Sequence, residues 1–425
     1  MKQIRVAVAG CGTVGGHFIR VLRRNRCALK QKTGLSFDLV AAADIQAEKS
    51  NLLPGRFFRD ARQLVKEPDI DIIVELIGGI HPAYELVKEA ILHGKSVVTA
   101  NKALLSQYGE ELMNLAAENR VYIGFEASVG GAIPIIKTVR ESFVGTSIKR
   151  ILAILNGTTN YILSRMTMEK MPFPAALKKA QEKGYAEANP ALDLSGMDTA
   201  HKLGILVRYL FHKIIPWEKI PVEGMENIDQ KDIEFASQLG YRIKLLAVAE
   251  RRLNSLQLAV FPALLPVNHL LAVVEDVYNA IYLEGDLIGR SLLYGQGAGG
   301  KAAASAVLAD VTEIGMKLNQ GGYATVYWPQ DKNLVLESAD NFSSRSYLRF
   351  TAVDRPGVLA RIAYILGKNN ISIASVIQKE QNPRQAVPIV MLTHEAREKS
   401  FSRALKEINS LDVIRKPTVR IRMVE

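Results

Sequence analysis

The sequence predicts an α/β protein that begins with a doubly wound parallel sheet, continues with an α+β domain and ends with a smaller βαββαβ domain. Two observations predict the first part: strand and helix patterns alternate over residues 4–125, and a glycine-rich turn follows the first strand pattern. A third predicts the last part, because residues 346–425 show the order strand, helix, strand, strand, helix, strand.

Length and composition bound the class of protein. The chain has 425 residues, too many for one hydrophobic core, so we expect two or three domains. Hydrophobic residues make up 48% and charged residues 23%, as in ordinary soluble proteins. No apolar run reaches the roughly 18 residues that a membrane-spanning helix needs. Residues 1–8 resemble a strand rather than a signal peptide. We therefore expect a cytoplasmic protein without a membrane partner.

The formal net charge of +11 requires a nucleic-acid partner to be considered. Lysines and arginines are spread along the chain, and neither a zinc finger nor a basic arm with interleaved aromatic residues is present in the sequence. A solvated basic surface or anionic small substrates explain the charge equally well. We expect no nucleic-acid partner.

Residues 1–130 are predicted to form a dinucleotide-binding domain of the Rossmann type. The turn Gly10-Cys-Gly-Thr-Val-Gly15 lies between a strand and a helix, and Gly10, Gly12 and Gly15 would allow a tight turn and the close approach of a pyrophosphate. The alternative is a purely structural glycine turn. The predicted strands are 4–10, 37–44, 71–77, 96–99 and 121–125. The first predicted helix follows the glycine turn and extends to about residue 26, and the others are 58–66, 82–93 and 103–118.

Asp44 ends the second predicted strand, where an acidic residue would bind the ribose 2′-hydroxyl of NAD. It lies further along than the usual spacing of roughly 20 residues, which we attribute to a loop at residues 30–34. The alternative is an ordinary loop carboxylate. The pattern favours NAD over NADP.

Residues 131–317 are predicted to form an α+β domain, with helix 301–317 completing the first domain. Residues 318–345 are polar and predict a linker, and residues 346–425 predict a self-contained ferredoxin-like domain. The predicted strands are 147–155, 256–263, 276–284, 347–353, 371–378, 387–393 and 418–424. A helix is predicted after residues 156–160, and the other predicted helices are 198–212, 232–248, 301–317, 358–367 and 395–409.

Asp198 and Lys202 are four residues apart and share one face of a predicted helix. The rest of that helix is apolar, so we expect Lys202 to line a cleft, where partial desolvation would lower its basicity and suit proton transfer. Two alternatives remain open. Ser195 to Asp198 resembles a helix-capping box, and Asp198 with Lys202 could be a surface ion pair.

Two further motifs follow strands at the predicted carboxyl edge of the sheet. Thr99-Ala-Asn-Lys102 lies where cofactors bind in such sheets, although Lys102 could also be a solvated residue at a helix start. Glu126 stands beside glycine-rich backbone and could hold a cation together with carbonyl oxygens. It could also simply cap residues 132–138, and the sequence alone favours the cap.

In this order, the motifs closely resemble those of homoserine dehydrogenase, over residues 1 to about 317. The quoted residues are Gly10–Gly15, Thr99–Lys102, Glu126–Gly131, Asn156–Asn160, Gly184–Glu187, Asp193–Asp198 with Lys202, and Gly295–Gly300. Residues 354–359 resemble the start of an ACT domain, the amino-acid-sensing module that many single-function members carry.

The resemblance implies the interconversion of L-aspartate 4-semialdehyde and L-homoserine with NADP or NAD, in threonine, methionine and isoleucine biosynthesis. It implies that Lys202 is the general acid and that Lys102 lies beside the nicotinamide and the substrate. Substrate groups would be held by Glu187, Asp193 and Asp198. The cofactor site would comprise Gly10, Gly12, Thr13, Val14, Gly15, Asp44, Thr99, Lys102, Gly184 and Gly299.

The resemblance also implies a monovalent cation, sodium, held by Glu126 and the carbonyl groups of Val129, Gly131 and Ile133. It implies that residues 131–317 form the substrate-binding, catalytic and dimerisation domain of a homodimer or homotetramer. Threonine is the expected effector of the ACT domain.

Three other functions compete with that of a homoserine dehydrogenase. Aspartate-semialdehyde dehydrogenase acylates a cysteine, but Cys11 lies in the glycine turn and Cys27 near the end of its helix, and both are expected to be reduced thiols. A non-catalytic amino-acid sensor would not need Asp193, Asp198 and Lys202. Another NAD(P)-dependent amino-acid dehydrogenase is the remaining alternative.

Overall fold

The computed structural model describes residues 3–53, 56–321, 330–378 and 386–425. The chain forms two compact units. The first comprises residues 1–146, 201–217 and 293–331, and the second comprises residues 147–200, 218–292 and 332–425.

The secondary structure is numbered in chain order. The strands are β1 Gln3–Ala9, β2 Ser36–Ala43, β3 Phe57–Phe58, β4 Ile72–Glu75, β5 Ser96–Thr99, β6 Ile123–Gly124, β7 Ile148–Ile154, β8 Tyr241–Arg252, β9 Ser255–Pro266, β10 Tyr278–Gly285, β11 Gly289–Gln296, β12 Val335–Leu336, β13 Ser343–Val353, β14 Ile373–Gln378, β15 Ala386–Thr393, β16 Ala396–Arg397 and β17 Ile414–Met423. The α-helices are α1 Thr13–Thr33, α2 Gln63–Lys66, α3 Ala83–Leu92, α4 Lys102–Glu118, α5 Ile135–Lys137, α6 Gly157–Met168, α7 Phe173–Glu182, α8 Ala191–Leu194, α9 Met197–Phe211, α10 Gln230–Gln238, α11 Gly300–Gln320, α12 Val358–Lys368 and α13 Glu398–Asn409.

The first unit contains a six-stranded sheet in the order β3-β2-β1-β4-β5-β6, and every pair in it is parallel. The strand order reverses between β1 and β4, which creates the crevice at the carboxyl ends of the strands where dinucleotides bind. The predicted doubly wound sheet is confirmed. Helix α11 packs against α1 in the same unit, as the sequence predicted for residues 301–317.

Helix α1 is longer than the sequence predicted. Its buried residues, including Phe18 and Leu22, all lie in its first half, and the second half is a basic and polar run without an apolar stripe. That run still forms a helix because lysine, arginine and glutamine have high helix propensity. The helix ends at Gly34, which has a φ of +73°. The residues before Asp44 that we assigned to a loop are therefore mostly helical.

The predicted helix over residues 232–248 is wrong. Helix α10 ends at Gln238, Gly240 has a φ of +80°, and β8 begins at Tyr241. Strand β8 pairs with β7 on one side and β9 on the other, and most of its residues from Ile243 to Ala249 are buried. A strand buried on both faces loses the polar–apolar alternation that distinguishes strands from helices.

Three smaller predictions also differ from the structure. In 58–66 only Gln63–Lys66 is α-helical, and in 121–125 only Ile123–Gly124 is a strand. The predicted linker 318–345 includes the end of α11, then β12, which pairs with β9, and the start of β13; its residues 322–329 lie outside the described part of the chain. Helix α7 and strand β11 were not predicted.

The second unit is built on a large mixed sheet. Its main path runs β11-β10-β7-β8-β9-β17-β13-β15-β14. The last part of the chain has the predicted βαββαβ order, with β13, α12, β14, β15, α13 and β17. Strand β17 also pairs in parallel with β9, through Arg422 with Ala263 and Met423 with Leu264. The ferredoxin-like sheet thus continues the sheet of the preceding domain.

The ferredoxin-like domain shares one of its two cores with the rest of the second unit. Leu348 and Phe350 of β13 point into a core formed within the domain, together with α12 and α13. Tyr347, on the opposite face, belongs to a core that also contains residues of α6, α7 and α10, joined by Val390, Leu392, Ile421 and Met423. The prediction that residues 346–425 are self-contained is wrong on this face.

A buried ion cluster lies on the same face. Arg349 of β13 donates from Nε to Asp232 Oδ1 at 2.7 Å and from Nη2 to Asp232 Oδ2 at 2.8 Å, and the Tyr347 hydroxyl donates to the same carboxylate at 3.0 Å. Asp232 is fully buried and Arg349 is 6% exposed. Asp229, which caps α10, also accepts from Arg349 at 3.0 Å. The cluster fixes β13 to the start of α10.

No helix in the described ranges is long and apolar enough to cross a membrane.

Candidate active site

The glycine turn has the backbone geometry that a dinucleotide site requires. Gly10 has a φ of +93°, and a Cβ there would lie 2.5 Å from the backbone of Leu76. A Cβ on Gly15 would lie 1.9 Å from the carbonyl oxygen of Gly10. Gly12, in contrast, faces open space, which leaves room for a pyrophosphate at the N-terminus of α1. Thr13 and Val14 form the first turn of that helix.

The second glycine-rich turn lies against the first one within the same unit. Gly299 has a φ of +116° and caps α11. A Cβ on Gly300 would lie 2.7 Å from His17 Nδ1 and 2.9 Å from Thr13 Cγ2. The structure therefore brings the Gly299 turn to the start of α1, close to the predicted cofactor residues of the first turn.

Asp44 is attached to the glycine turn. Its carboxylate accepts the backbone N–H of Cys11 at 2.6 Å and that of Gln46 at 2.9 Å. A surface pocket of about 420 Å³ is lined by Gly12 and Thr13. The cationic side chains of Arg20 and Lys49 also line it. Sequence reasoning missed Arg20, although Arg20 lies one helical turn after Gly16 and therefore on the same face of α1.

The end of β5 carries the next two predicted residues. The Thr99 hydroxyl donates to Glu75 at 2.6 Å and accepts the backbone N–H of Asn101 at 3.0 Å. The Asn101 side chain caps α4 by accepting the N–H of Leu104 at 3.1 Å. Lys102 is consequently the first residue of α4, at the carboxyl edge of the sheet.

Glu126 is 3% exposed and caps a helix, as the sequence favoured. Its two carboxylate oxygens accept the N–H groups of Ile136 at 2.8 Å and Lys137 at 2.9 Å. Burial, helped by the nearby Asp310, raises the pKa of Glu126 to about 7. Val129, Gly131 and Ile133 lie in the segment between Glu126 and the capped helix. Among the described residues, no group of three or more histidine, cysteine, aspartate or glutamate side chains is arranged to hold a metal ion.

In the second unit, one asparagine holds two of the predicted carboxylates. The amide nitrogen of Asn156 donates to Asp193 Oδ1 at 2.6 Å and to Asp198 Oδ2 at 3.0 Å. Its oxygen accepts the N–H of Thr159 and caps α6. The structure therefore brings Asp193 and Asp198 together. Sequence reasoning quoted the Asn156 motif but missed this role, because the contact joins residues about 40 positions apart.

Asp198 is 5% exposed, which disfavours the alternative of a pair at the surface. The Ser195 hydroxyl donates to the carbonyl of Leu192, and the Asp198 carboxylate accepts from Asn156, which disfavours the capping-box alternative. Lys202 follows Asp198 by one turn of α9 and is partly exposed.

Glu187 is exposed on the segment between α7 and α8, and its carbonyl oxygen accepts from Gln181 at 3.3 Å. Gly184 begins this segment with a φ of +71°, and the Thr158 hydroxyl fastens it by donating to the carbonyl of Tyr185 at 2.6 Å. The roles of Glu187 and Gly184 stay predictions.

Neither cysteine is placed to act as a nucleophile. Cys11 is buried in the glycine turn, and burial, together with the charge of Asp44, raises the pKa of its thiol to about 11. A high pKa disfavours the thiolate that attacks a substrate. Cys27 is exposed on the polar half of α1. The geometry disfavours the cysteine-acylating rival.

Three family models match the chain. The model "Homoserine dehydrogenase, NAD binding domain" matches residues 10–126, "Homoserine dehydrogenase" matches residues 134–312, and "ACT domain" matches residues 346–413. Among curated proteins, homoserine dehydrogenase from Neisseria gonorrhoeae is 40% identical, over 100% of this chain and 99% of that protein. The enzyme from Pseudomonas aeruginosa is 38% identical over the same shares.

Solved structures agree with these matches. A homoserine dehydrogenase from Thiobacillus denitrificans has a TM-score of 0.93 and 40% identity, covering 100% of this chain and 99% of that one. A hyperthermophilic archaeal homoserine dehydrogenase in complex with NADPH has a TM-score of 0.64 and 28% identity, covering 74% and 98%. The chain therefore belongs to the homoserine dehydrogenase family of NAD(P)-dependent oxidoreductases and carries a C-terminal ACT domain.

Proposed function

We propose that the chain interconverts L-aspartate 4-semialdehyde and L-homoserine with Lys202 as the proton donor and acceptor. The observation that carries the proposal is that Asn156 holds the carboxylates of Asp193 and Asp198, and Asp198 lies one helical turn before Lys202. The bound nicotinamide supplies or takes the hydride. In the reducing direction, the Lys202 ammonium group donates a proton to the carbonyl oxygen, so that the aldehyde gains a hydride and a proton and becomes an alcohol.

The remaining substrate groups are assigned by charge. Asp193 and Asp198 share one amide donor, so their negative charges lie close together and suit the positive α-ammonium group of the amino acid. Glu187 binds a further polar group from the exposed segment before α8. Lys102 lies beside the nicotinamide and the substrate, at the edge where cofactors bind.

We propose that Asp44 makes NAD the preferred cofactor, because a carboxylate there repels the 2′-phosphate of NADP. The absorbance of the reduced cofactor, followed with homoserine and each cofactor, gives the two values of kcat/KM. Asp44→Asn should shift their ratio toward NADP by about tenfold, or about 1.4 kcal/mol. Asp38→Asn, in the strand that ends just before Asp44, should leave the ratio unchanged.

A preference of the unaltered enzyme for NADP would contradict the role of Asp44 and would indicate that Arg20 and Lys49 dominate the pocket. If homoserine were not oxidised with either cofactor, the dehydrogenase function itself would be wrong, and an amino-acid sensor would become the better reading.

We propose a sodium site at Glu126 with the carbonyl groups of Val129, Gly131 and Ile133. The donor set fits, because carboxylate and carbonyl oxygens are ligands for hard cations, and each Glu126 oxygen keeps an acceptor position beyond its one N–H. Replacing sodium chloride with tetramethylammonium chloride at constant ionic strength should lower kcat, and Glu126→Gln should abolish this dependence. Glu141→Gln, at an exposed position, is the control. Equal kcat in both salts would contradict the proposal that the enzyme uses a sodium ion.

We propose that the ACT domain senses threonine and that two copies pair at the edge strand β14, which ends the sheet path. Such pairing would give a homodimer or, with a second interface, a homotetramer. Truncation after residue 340 is not a clean test, because it removes part of a shared core. Val376 of β14 is 42% exposed, and a lysine there would oppose edge pairing.

Threonine should inhibit the intact enzyme with a coupling free energy of about 1–3 kcal/mol. Val376→Lys should weaken both this inhibition and dimer formation, measured by initial rates and by sedimentation. Leu253→Lys, in the exposed β8–β9 turn, is the control for an added charge. Insensitivity of the unaltered enzyme to threonine and related amino acids would leave the ACT domain with a structural role only.

A further inference from the structure

Glu75 is a fully buried carboxylate at the carboxyl end of β4, and none of the roles assigned above uses it. The preceding residues of the strand, Ile72 to Val74, are all buried and apolar. Burial raises the pKa of Glu75, because the charged form is desolvated. A buried carboxylate is costly unless it is well hydrogen-bonded, so its partners indicate what it does.

The carboxylate joins two neighbouring strand ends. Oε1 accepts the N–H groups of Ile77 at 2.8 Å and Gly78 at 3.4 Å, which belong to the turn after β4. Oε2 accepts the hydroxyl of Thr99, at the end of β5, at 2.6 Å. One side chain thereby fixes the two segments that follow β4 and β5 at the carboxyl edge of the sheet.

The network continues to the start of α4. Thr99 Oγ1 accepts the N–H of Asn101 at 3.0 Å, and the Asn101 amide donates to the carbonyl of Gly79 at 2.5 Å. The Asn101 side-chain oxygen caps α4, in which Lys102 is the first residue. A closed ring of hydrogen bonds therefore runs from Glu75 through Thr99 and Asn101 back to the turn after β4.

We infer that Glu75 is a positioning residue for Lys102, acting through Thr99 and Asn101. The ring requires a side chain that accepts hydrogen bonds on both of its arms. Glutamine has the same size, but its NH₂ group can only donate to Thr99 Oγ1. That hydrogen bond would be reversed, and the Thr99 hydroxyl would lose the acceptor that it has in the ring. Small displacements of a group beside reacting atoms are expensive in rate. The inference rests on the proposed role of Lys102 in the reaction.

The first test is Glu75→Gln in the full-length enzyme. We expect kcat to fall about 10–100-fold, with the KM values for homoserine and cofactor changing by less than about threefold. Thr99→Val breaks the ring at its next bond and should lower kcat by a similar factor. Its cofactor KM is not diagnostic, because Thr99 is itself a predicted cofactor residue. Asp71→Asn is the matched control, because Asp71 precedes the same strand at its opposite end and accepts the N–H of Arg5 at 2.8 Å. It should leave kcat unchanged.

The second test combines each variant with Lys102→Ala. If Glu75 acts through Lys102, Glu75→Gln should cost less than about threefold in kcat once Lys102 is absent, because coupled residues are not additive. Equal losses with and without Lys102, or an effect of Glu75→Gln on thermal stability with kcat unchanged, would overturn the inference. Full activity of Lys102→Ala alone would instead contradict the role of Lys102 and remove the basis of the inference. If Glu75→Gln does not fold, Thr99→Val carries the same comparison.

Discussion

Replacing Lys202 with alanine should lower kcat by about 10²–10⁴-fold, the usual contribution of a general acid. The dissociation constant of the cofactor should change little, because the glycine turns that are proposed to hold it are built by other segments. The expected loss lies in kcat rather than KM, since a proton donor acts in the transition state.

The measurement is a pH profile of kcat with cofactor binding followed by fluorescence. Lys213→Ala is a matched control, because Lys213 lies two residues after the end of α9 and its ammonium group donates to the carbonyl of Asp331. A small primary amine added to the Lys202→Ala variant should restore part of the rate. Near-full activity of that variant at every pH would place the proton donor elsewhere.

Removing the buried carboxylate of Asp232 should lower the free energy of unfolding by about 3–5 kcal/mol, because it leaves Arg349 charged, buried and without its closest partner. It also leaves the Tyr347 hydroxyl without its acceptor. The loss is large relative to the 5–15 kcal/mol by which proteins are typically stable, so Asp232→Ala should unfold at much lower denaturant concentration.

The matched control is Asp412→Ala. Asp412 pairs with Arg361 at 3.0 Å in the same domain, but its side chain is 69% exposed, so the loss of stability should be much smaller than for Asp232→Ala. The double variant Asp232→Leu with Arg349→Met replaces the pair with apolar groups and should recover most of the stability. A similar loss of unfolding free energy in Asp232→Ala and Asp412→Ala would show that the buried pair does not stabilise the packing of β13 against α10.

The parts of the fold that the sequence predicted are those whose signal is local. The glycine turn, the strand before it and the first turns of α1 follow from residues 4–15, and the βαββαβ order follows from patterns within 80 residues. Strand β8 could not be predicted in this way, because its apolar run reflects burial between β7 and β9. Burial on both faces leaves no alternation of polar and apolar residues by which to distinguish such a strand from a helix.

Some residues of the candidate site could likewise be predicted from local spacing, and others could not. Asp193, Asp198 and Lys202 were found by their spacing and by resemblance, since they lie within ten residues of one another. The roles of Asn156 and Glu75 depend on contacts with segments 24 to 42 residues away. For Glu75 a signal was available: a lone carboxylate directly after Ile-Ile-Val, at the end of a buried strand, is too costly to be incidental.

The position of β17 between β9 and β13 has a consequence for how the second unit acquires its structure. Arg422 pairs with Ala263, so the two strands meet across about 160 residues of intervening chain. Such long-range pairing slows folding, because the entropy of closing the loop is lost before the contact is gained. During synthesis, β9 is made well before β17, so Ala263 and Leu264 lack their partners until the last strand has been made. Chaperone demand and aggregation should therefore be greatest while the last strands are still being made.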